Sequence, residues 1–391
     1  MIKQLALLTC CAVLSVAAFA QNGPTCTVTV DNTQANCSAT EWLPNLTACE
    51  HAKVQCGTFS GVTIADIGIT FGYKNPSGTS SGTVLFFSDG GGETTPDGDV
   101  VGTSKVYAAY YNGSPNNYQV VQTAWDSDWE DTGSGNTKQI AYAAGRPAAF
   151  IKWVYNNLFG SVTQSSKAGM CLQGASAGGA AEMYALTWYG QYSFVDKVSL
   201  LSAPPLSDVA RGCYHNPLVL LSPVSVCPSG QLGCNSTNSP ASWSQDANYS
   251  GSALTSVQTW GGDSNCGGPN TTTQSELSSW KKMSIVDGNV ATFNYPQTAI
   301  TTWLCSSVAA GDGSMNNSSP EAQLFFQQFT SPSQYDSLLI NGVGNCASSE
   351  EVGPGTPPQN YVNMGYTTGQ EAIEYDMTTD PANKCTLNHS N

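Results

Sequence analysis

Ser176 stands in Gly174-Ala-Ser176-Ala-Gly178, between a short apolar run at 168–173 and a run of good helix formers at 180–189. A strand that stops at a glycine, turns sharply and enters a helix lifts its central serine above the end of a sheet. There the hydroxyl can attack a carbonyl carbon. Only small side chains fit beside such a turn, which accounts for Ala175, Ala177, Gly178 and Gly179. The letters alone decide nothing, because Gly78-Thr-Ser80-Ser-Gly82 matches the same pattern. That second match lies in a Pro/Gly/Ser-rich loop with no helix after it and reads as a connecting turn. A serine hydroxyl is a weak nucleophile until an imidazole takes its proton. The chain has three histidines, His51, His215 and His389, and only the last two follow Ser176.

The elements that must hold this serine are legible around it. Residues 62–73 alternate as a strand does, and 83–88 form a continuous apolar run, as expected of a strand covered on both faces. That run ends in Asp89-Gly-Gly91-Gly92-Glu93. A strand is predicted at 118–124, followed by an acidic loop with two tryptophans. An amphipathic helix follows over 138–159, which Pro147 kinks or divides. After the turn and its helix come strands at 194–202, 298–305 and 337–340, with helices at 320–329 and 371–377. Strands alternating with helices imply a parallel sheet with helices on both faces. Residues 204–295 break the alternation. They are rich in Pro, Gly, Ser and Asn, hold four cysteines and three tryptophans, and read as an inserted, disulfide-rich cap or lid over the serine.

Composition narrows the setting. Lys3, an apolar stretch at 5–17 and Ala18-Phe-Ala20 read as a secretory signal peptide over 1–20. Nothing later is apolar for long enough to span a bilayer. Losing the leader removes Cys10 and Cys11 from the 14 cysteines and leaves an even number, which argues for disulfides in an oxidising compartment. Cys26, Cys37, Cys49 and Cys56 are close enough to staple a Cys-rich N-terminal extension over 21–60. Cys171 reads as a buried thiol. Charged residues make up 10% of the chain and the net charge is −15, which disfavours nucleic acid and anionic membranes as partners. Asp126, Asp128 and Asp131 lack the spacing of a helix-loop-helix calcium site, and no Cys/His spacing suggests zinc. No metal or cofactor is expected.

The Gly174–Gly178 turn, the glycine-rich loop after Phe87 and the acid-bearing loop after the late strand together resemble the α/β-hydrolase family of serine esterases and lipases, in particular its exported members. The resemblance covers roughly 62–203 and 296–389. It implies a mostly parallel central sheet covered by helices on both faces, with a core over 61–203 and 296–391 and the cap at 204–295. It also implies a Ser, then Asp or Glu, then His order for the catalytic groups. On that order His389 is the expected base, with His215 the alternative. Asp312, in Gly311-Asp312-Gly313, is the expected carboxylate, with Glu350, Glu351 and Asp287 behind it. The oxyanion donors would be the amide of Ala177 and those of Gly91 and Gly92, since Asp89-Gly-Gly-Gly resembles the family's H-G-G-G stretch. Trp125 and Trp129 are candidates for lining the substrate pocket. One departure stands out. The family's histidine usually follows the last strand closely, whereas 341–346 contains none. The expected activity is hydrolysis of small-molecule or polymeric carboxylic esters outside the cell or in the periplasm. A serine peptidase or acyltransferase, or an inactive hydrolase-fold binding protein, are the alternatives.

Overall fold

The computed structural model describes residues 23–39, 41–87, 96, 104–130, 140–201, 282–286, 293–305, 325–326, 328, 338–344, 352–353 and 355–387. Its centre is the apolar runs at 80–87, 164–175 and 197–201, which lie side by side as β6 (Ser80–Phe87), β8 (Gln164–Ala175) and β9 (Lys197–Leu201). Along β6, Val84 and Phe86 face one side while Leu85 and Phe87 face the other. All four are buried, in two separate core clusters. A strand buried on both faces has no polar face to show, which is why these segments read as unbroken apolar runs.

Among the described residues the sheet has nine strands. β6 pairs in parallel with β7 (Gln119–Trp125) on one side and with β8 on the other, and the parallel run continues through β9, β10 (Ala299–Cys305) and β11 (Leu338–Val343). Beyond β7 the pairing turns antiparallel through β5 (Ile67–Lys74), β2 (Ala48–Gln55) and β1 (Thr27–Val30). β3 (Gly57–Phe59) and β4 (Val62–Ile64) form a separate hairpin. One face is covered by α2 (Ile140–Ala143), α3 (Gly145–Asn157) and α4 (Ala177–Thr187). The opposite face carries α1 (Ser104–Asn112), α5 (Gln359–Asn363) and α6 (Gly369–Thr378). Among the described residues no helix is long and apolar enough to cross a membrane.

Several expectations needed correction. Residues 21–60 are not an extension beside the fold, since they supply two strands of the main sheet. The strand expected over 62–73 is interrupted at Ala65-Asp66, where the Ala65 carbonyl accepts hydrogen bonds from the buried Arg146 guanidinium. Pro147 is the third residue of α3. It opens a second helix, at a position where its missing N–H has no intrahelical partner to lose.

Cys171 is not a free thiol. It is joined to Cys385 across 214 residues of chain, with the Cα atoms 5.9 Å apart. Cys26–Cys56 and Cys37–Cys49 pair within the N-terminal segment. Opening a disulfide that closes so long a loop costs about 2–5 kcal/mol. The double variant Cys171→Ala/Cys385→Ala should stay folded at 25 °C and lose stability in that range on urea unfolding. An unchanged urea midpoint would show that the bridge stabilises nothing.

Candidate active site

The end of β8 is held from three directions. The Gln173 side chain accepts a 2.8 Å hydrogen bond from the Tyr111 hydroxyl. A Cβ on Gly174 would lie 2.6 Å from the Gly178 carbonyl carbon, so α4 can cross the strand this closely only above a glycine. The Ser176 amide donates to Leu201 O at the end of β9, 2.9 Å away, and the Ser176 carbonyl accepts from Ala180 N at 3.0 Å.

These restraints leave Ser176 at φ 44°, ψ −114°. A side chain with a Cβ rarely adopts that backbone, and holding one there costs on the order of 1–3 kcal/mol. The residue is half-buried, and it caps a helix whose every position is buried. The first amides of α4, Ala177 among them, have no intrahelical acceptor and sit at the positive end of the helix dipole. An anion developing on a carbonyl bound against Ser176 would meet those donors.

Ser80, in the second match, has none of this. It opens β6, is fully buried, and exchanges hydrogen bonds with Gly82 through its hydroxyl, at 2.7 Å to the carbonyl and 3.2 Å from the amide.

Glu182, six residues after Ser176 on α4, is buried, and among the described residues neither of its carboxylate oxygens has a hydrogen-bond partner. Burial raises its pKa well above the ordinary carboxylate value. Burial thus disfavours a negative charge behind the turn. Nothing in the sequence marked this residue. Of the stretch expected to form the cap, 282–286 and 293–295 are described, and Met283, Ile285, Val286 and Tyr295 belong to the same core cluster as α4. Met283 O also accepts a hydrogen bond from the Tyr184 hydroxyl.

Trp125 and Trp129 are core side chains, 2% and 0% exposed, and this corrects their reading as pocket residues. Trp125 stacks on Phe87 and meets Phe150 edge-on. Trp129 lies edge-on to Tyr184 of α4, and its carbonyl accepts from Arg146 Nη1 at 2.7 Å. Acidic neighbours in the sequence disguised two residues that fasten the loop after β7 to the helices.

Asp312, His389, Gly91 and Gly92, with His215 and the fallback acids Glu350, Glu351 and Asp287, lie outside the described residues. The described chain nevertheless fixes where the segments leading to them begin. β6 ends with Phe87 paired to Gly174, so the loop carrying Gly91 and Gly92 starts beside the turn. β10 is level with Leu201 at Trp303 and ends at Cys305, two strands from β8 or about 10 Å away, so the loop carrying Asp312 starts at the same end of the sheet.

The segment before His389 runs to the opposite end. Thr386 bridges Ala168 antiparallel, and Leu387 N donates to Lys167 O. Eight residues of extended strand separate Ala168 from Ser176, about 26 Å at 3.3 Å per residue. The three residues from Thr386 to His389 can span at most about 11 Å. His389 itself lies outside the described residues, and Leu387, the last described residue before it, sits at the end of β8 far from Ser176. His51 is out of reach of the turn. It is level with the turn but four strands away, about 19 Å, and its ring is engaged by Asp31 and Asp126.

No protein-family model matches the chain, and no curated protein matches it. Among solved structures it is similar to a hyperthermophilic esterase from the archaeon Pyrobaculum calidifontis, at 15% identity and a TM-score of 0.42, with 84% of this chain and 81% of that one covered. It is similar also to feruloyl esterase B from Aspergillus oryzae, at 12% identity and TM-score 0.40, with 82% and 79% covered. A third is a thermophilic, thermostable carboxylesterase cloned from a metagenomic library, at 11% identity and TM-score 0.41, with 85% and 88% covered. The overlaps are loose, and the fold assignment rests on the chain's own topology: a mostly parallel sheet, helices on both faces, and a strained serine between a central strand and a buried helix. The chain has the α/β-hydrolase fold.

Glycine populates positive φ freely, at an entropic cost of about 0.5–1 kcal/mol. Ser176→Gly should therefore relieve the strained turn and stabilise the fold by a net ~1 kcal/mol while removing the hydroxyl. Thermal unfolding of the variant beside Ser176→Ala checks this. A glycine variant no more stable than the alanine variant would mean that the turn stores no strain.

Proposed function

We propose that this chain is an exported serine hydrolase that cleaves carboxylic esters through an acyl-enzyme on Ser176. The observation that carries the reading is the backbone of Ser176, held in a conformation that costs free energy and has no evident structural use. In this reading an imidazole takes the hydroxyl proton as Oγ attacks the ester carbonyl. The amide of Ala177, with those of Gly91 and Gly92, receives the resulting oxyanion. The tetrahedral species collapses, the alkoxide leaves with the proton from the imidazolium, and water repeats the sequence to release the acid and restore Ser176.

His215 is proposed as the base in place of His389, supported by the pairing of Thr386 and Leu387 at the end of β8 far from Ser176 and by the engagement of the His51 ring with Asp31 and Asp126. It lies in the 204–295 stretch, so the cap would deliver a catalytic group as well as cover the site. Asp312 is proposed to orient the ring, supported by where β10 ends. Export is supported by the leader-like residues 1–20 and by the three disulfides.

Turnover of a short-chain p-nitrophenyl ester by alanine variants tests the assignment. Ser176→Ala and His215→Ala should each lower kcat by roughly 10³-fold or more, while His389→Ala should stay within about twofold of the parent. Loss of activity in His389→Ala with His215→Ala unaffected would overturn the base assignment. A folded parent without ester turnover would overturn the enzymatic reading itself.

A further inference from the structure

The antiparallel edge of the sheet contains a buried group that the proposed chemistry does not use. His51, 3% exposed on β2, has its Nδ1 2.6 Å from Asp31 Oδ1 and its Nε2 3.2 Å from Asp126 Oδ2. Asp31 follows β1, and Asp126 follows β7 with its amide bonded to Gly68 O. Between β2 and β7 runs β5, which presents Gly68 at this level. A Cβ there would lie 1.9 Å from Asp126 Oδ2 and 2.5 Å from His51 Nε2. The contact between ring and carboxylate thus crosses a strand through a gap that only glycine leaves.

A neutral imidazole donates through one nitrogen, whereas the imidazolium donates through both. With an acceptor carboxylate at each nitrogen, this arrangement is satisfied only by the charged ring. Among the described residues, the charged groups that act on the ring are Asp31 and Asp126. Of the other charged residues on β2, Lys53 pairs with Asp66, and Glu50 accepts a hydrogen bond from Tyr73.

What the ring joins gives it a mechanical consequence. Both N-terminal disulfides, Cys26–Cys56 and Cys37–Cys49, close within residues 26–56. They hold the β1–β2 unit to itself and not to the rest of the sheet. We infer that His51 is a protonation-dependent clasp that fastens the disulfide-bonded β1–β2 unit to the carboxyl end of β7 and loosens it when the ring loses its proton. The inference is independent of the reaction at Ser176.

Burial alone would lower the affinity of the ring for its proton, but hydrogen bonds and charge from Asp31 and Asp126 outweigh it, and the pKa is raised above the ordinary histidine value of 6.5. The pKa of Asp31 is lowered by the same contact. A group whose pKa is higher folded than unfolded stabilises the fold fully below the unfolded value. That contribution is lost as pH rises through the folded value. The clasp is therefore closed in mild acid and weakens from neutral pH upward.

The test is NMR titration of the three histidine rings in the full disulfide-bonded chain, with the His51 signals assigned from His51→Gln. Hydrogen exchange at Ala52 and Val54 is measured alongside, corrected for the intrinsic effect of pH. The expected result is a His51 ring that is protonated on both nitrogens at pH 6 and titrates above 6.5. Protection of β2 should fall by up to about tenfold per pH unit through that titration, and the pH-dependent part of that fall should vanish in Asp126→Asn. A ring that titrates at or below 6.5, or β2 protection that ignores its titration, overturns the inference. The parent titration stands even where a variant does not fold.

Discussion

The structure depends on a backbone turn that a serine would not adopt unaided. Ser176 is held at positive φ because Leu201 anchors its amide, Ala180 its carbonyl, and α4 packs directly onto Gly174. Each restraint comes from a different element. The strained turn therefore persists only while β9, α4 and the buried second half of β8 are all in place. A strain of on the order of 1–3 kcal/mol is small beside the burial of an eleven-residue helix, at roughly 25 cal/mol for each Å² of apolar surface.

The sheet separates roles along its strands. Its carboxyl end holds the serine turn and the starts of the loops that carry Gly91, Gly92 and Asp312. Towards its amino end lies the segment Cys385–Leu387, tied by the Cys171–Cys385 bridge and the Ala168–Thr386 pairing. That separation is the physical ground for taking the base from the cap. It also answers the missing histidine after the last strand. In this account the group was not lost but supplied from elsewhere in the chain.

The parts of the fold that were legible in the sequence are those whose burial is complete. β6, β8 and β9 show as apolar runs, and the small residues around Ser176 show as a turn, because packing on both faces left those positions no freedom. β2 was hidden because His51, Cys49 and Glu50 interrupt its apolar alternation, even though His51 points inward to carboxylates rather than to solvent. The Cys171–Cys385 bridge could not be read, since pairing across most of the chain follows from strand order and not from spacing. Trp125 and Trp129 misled for the opposite reason. The acids around them in sequence suggested a surface loop, while the rings turn inward onto Phe87, Phe150 and Tyr184. The choice between His389 and His215 rested on chain order alone, which carries no information about which end of a strand the Thr386–Leu387 segment meets.

The most direct measurement is labelling of the purified, disulfide-bonded protein with a fluorophosphonate, followed by peptide mass spectrometry to locate the adduct. The account predicts one stoichiometric adduct on Ser176, none on Ser80, and none after unfolding. A folded protein that takes up no label, or that carries it on another serine, would contradict the claim that the strained turn presents an activated nucleophile.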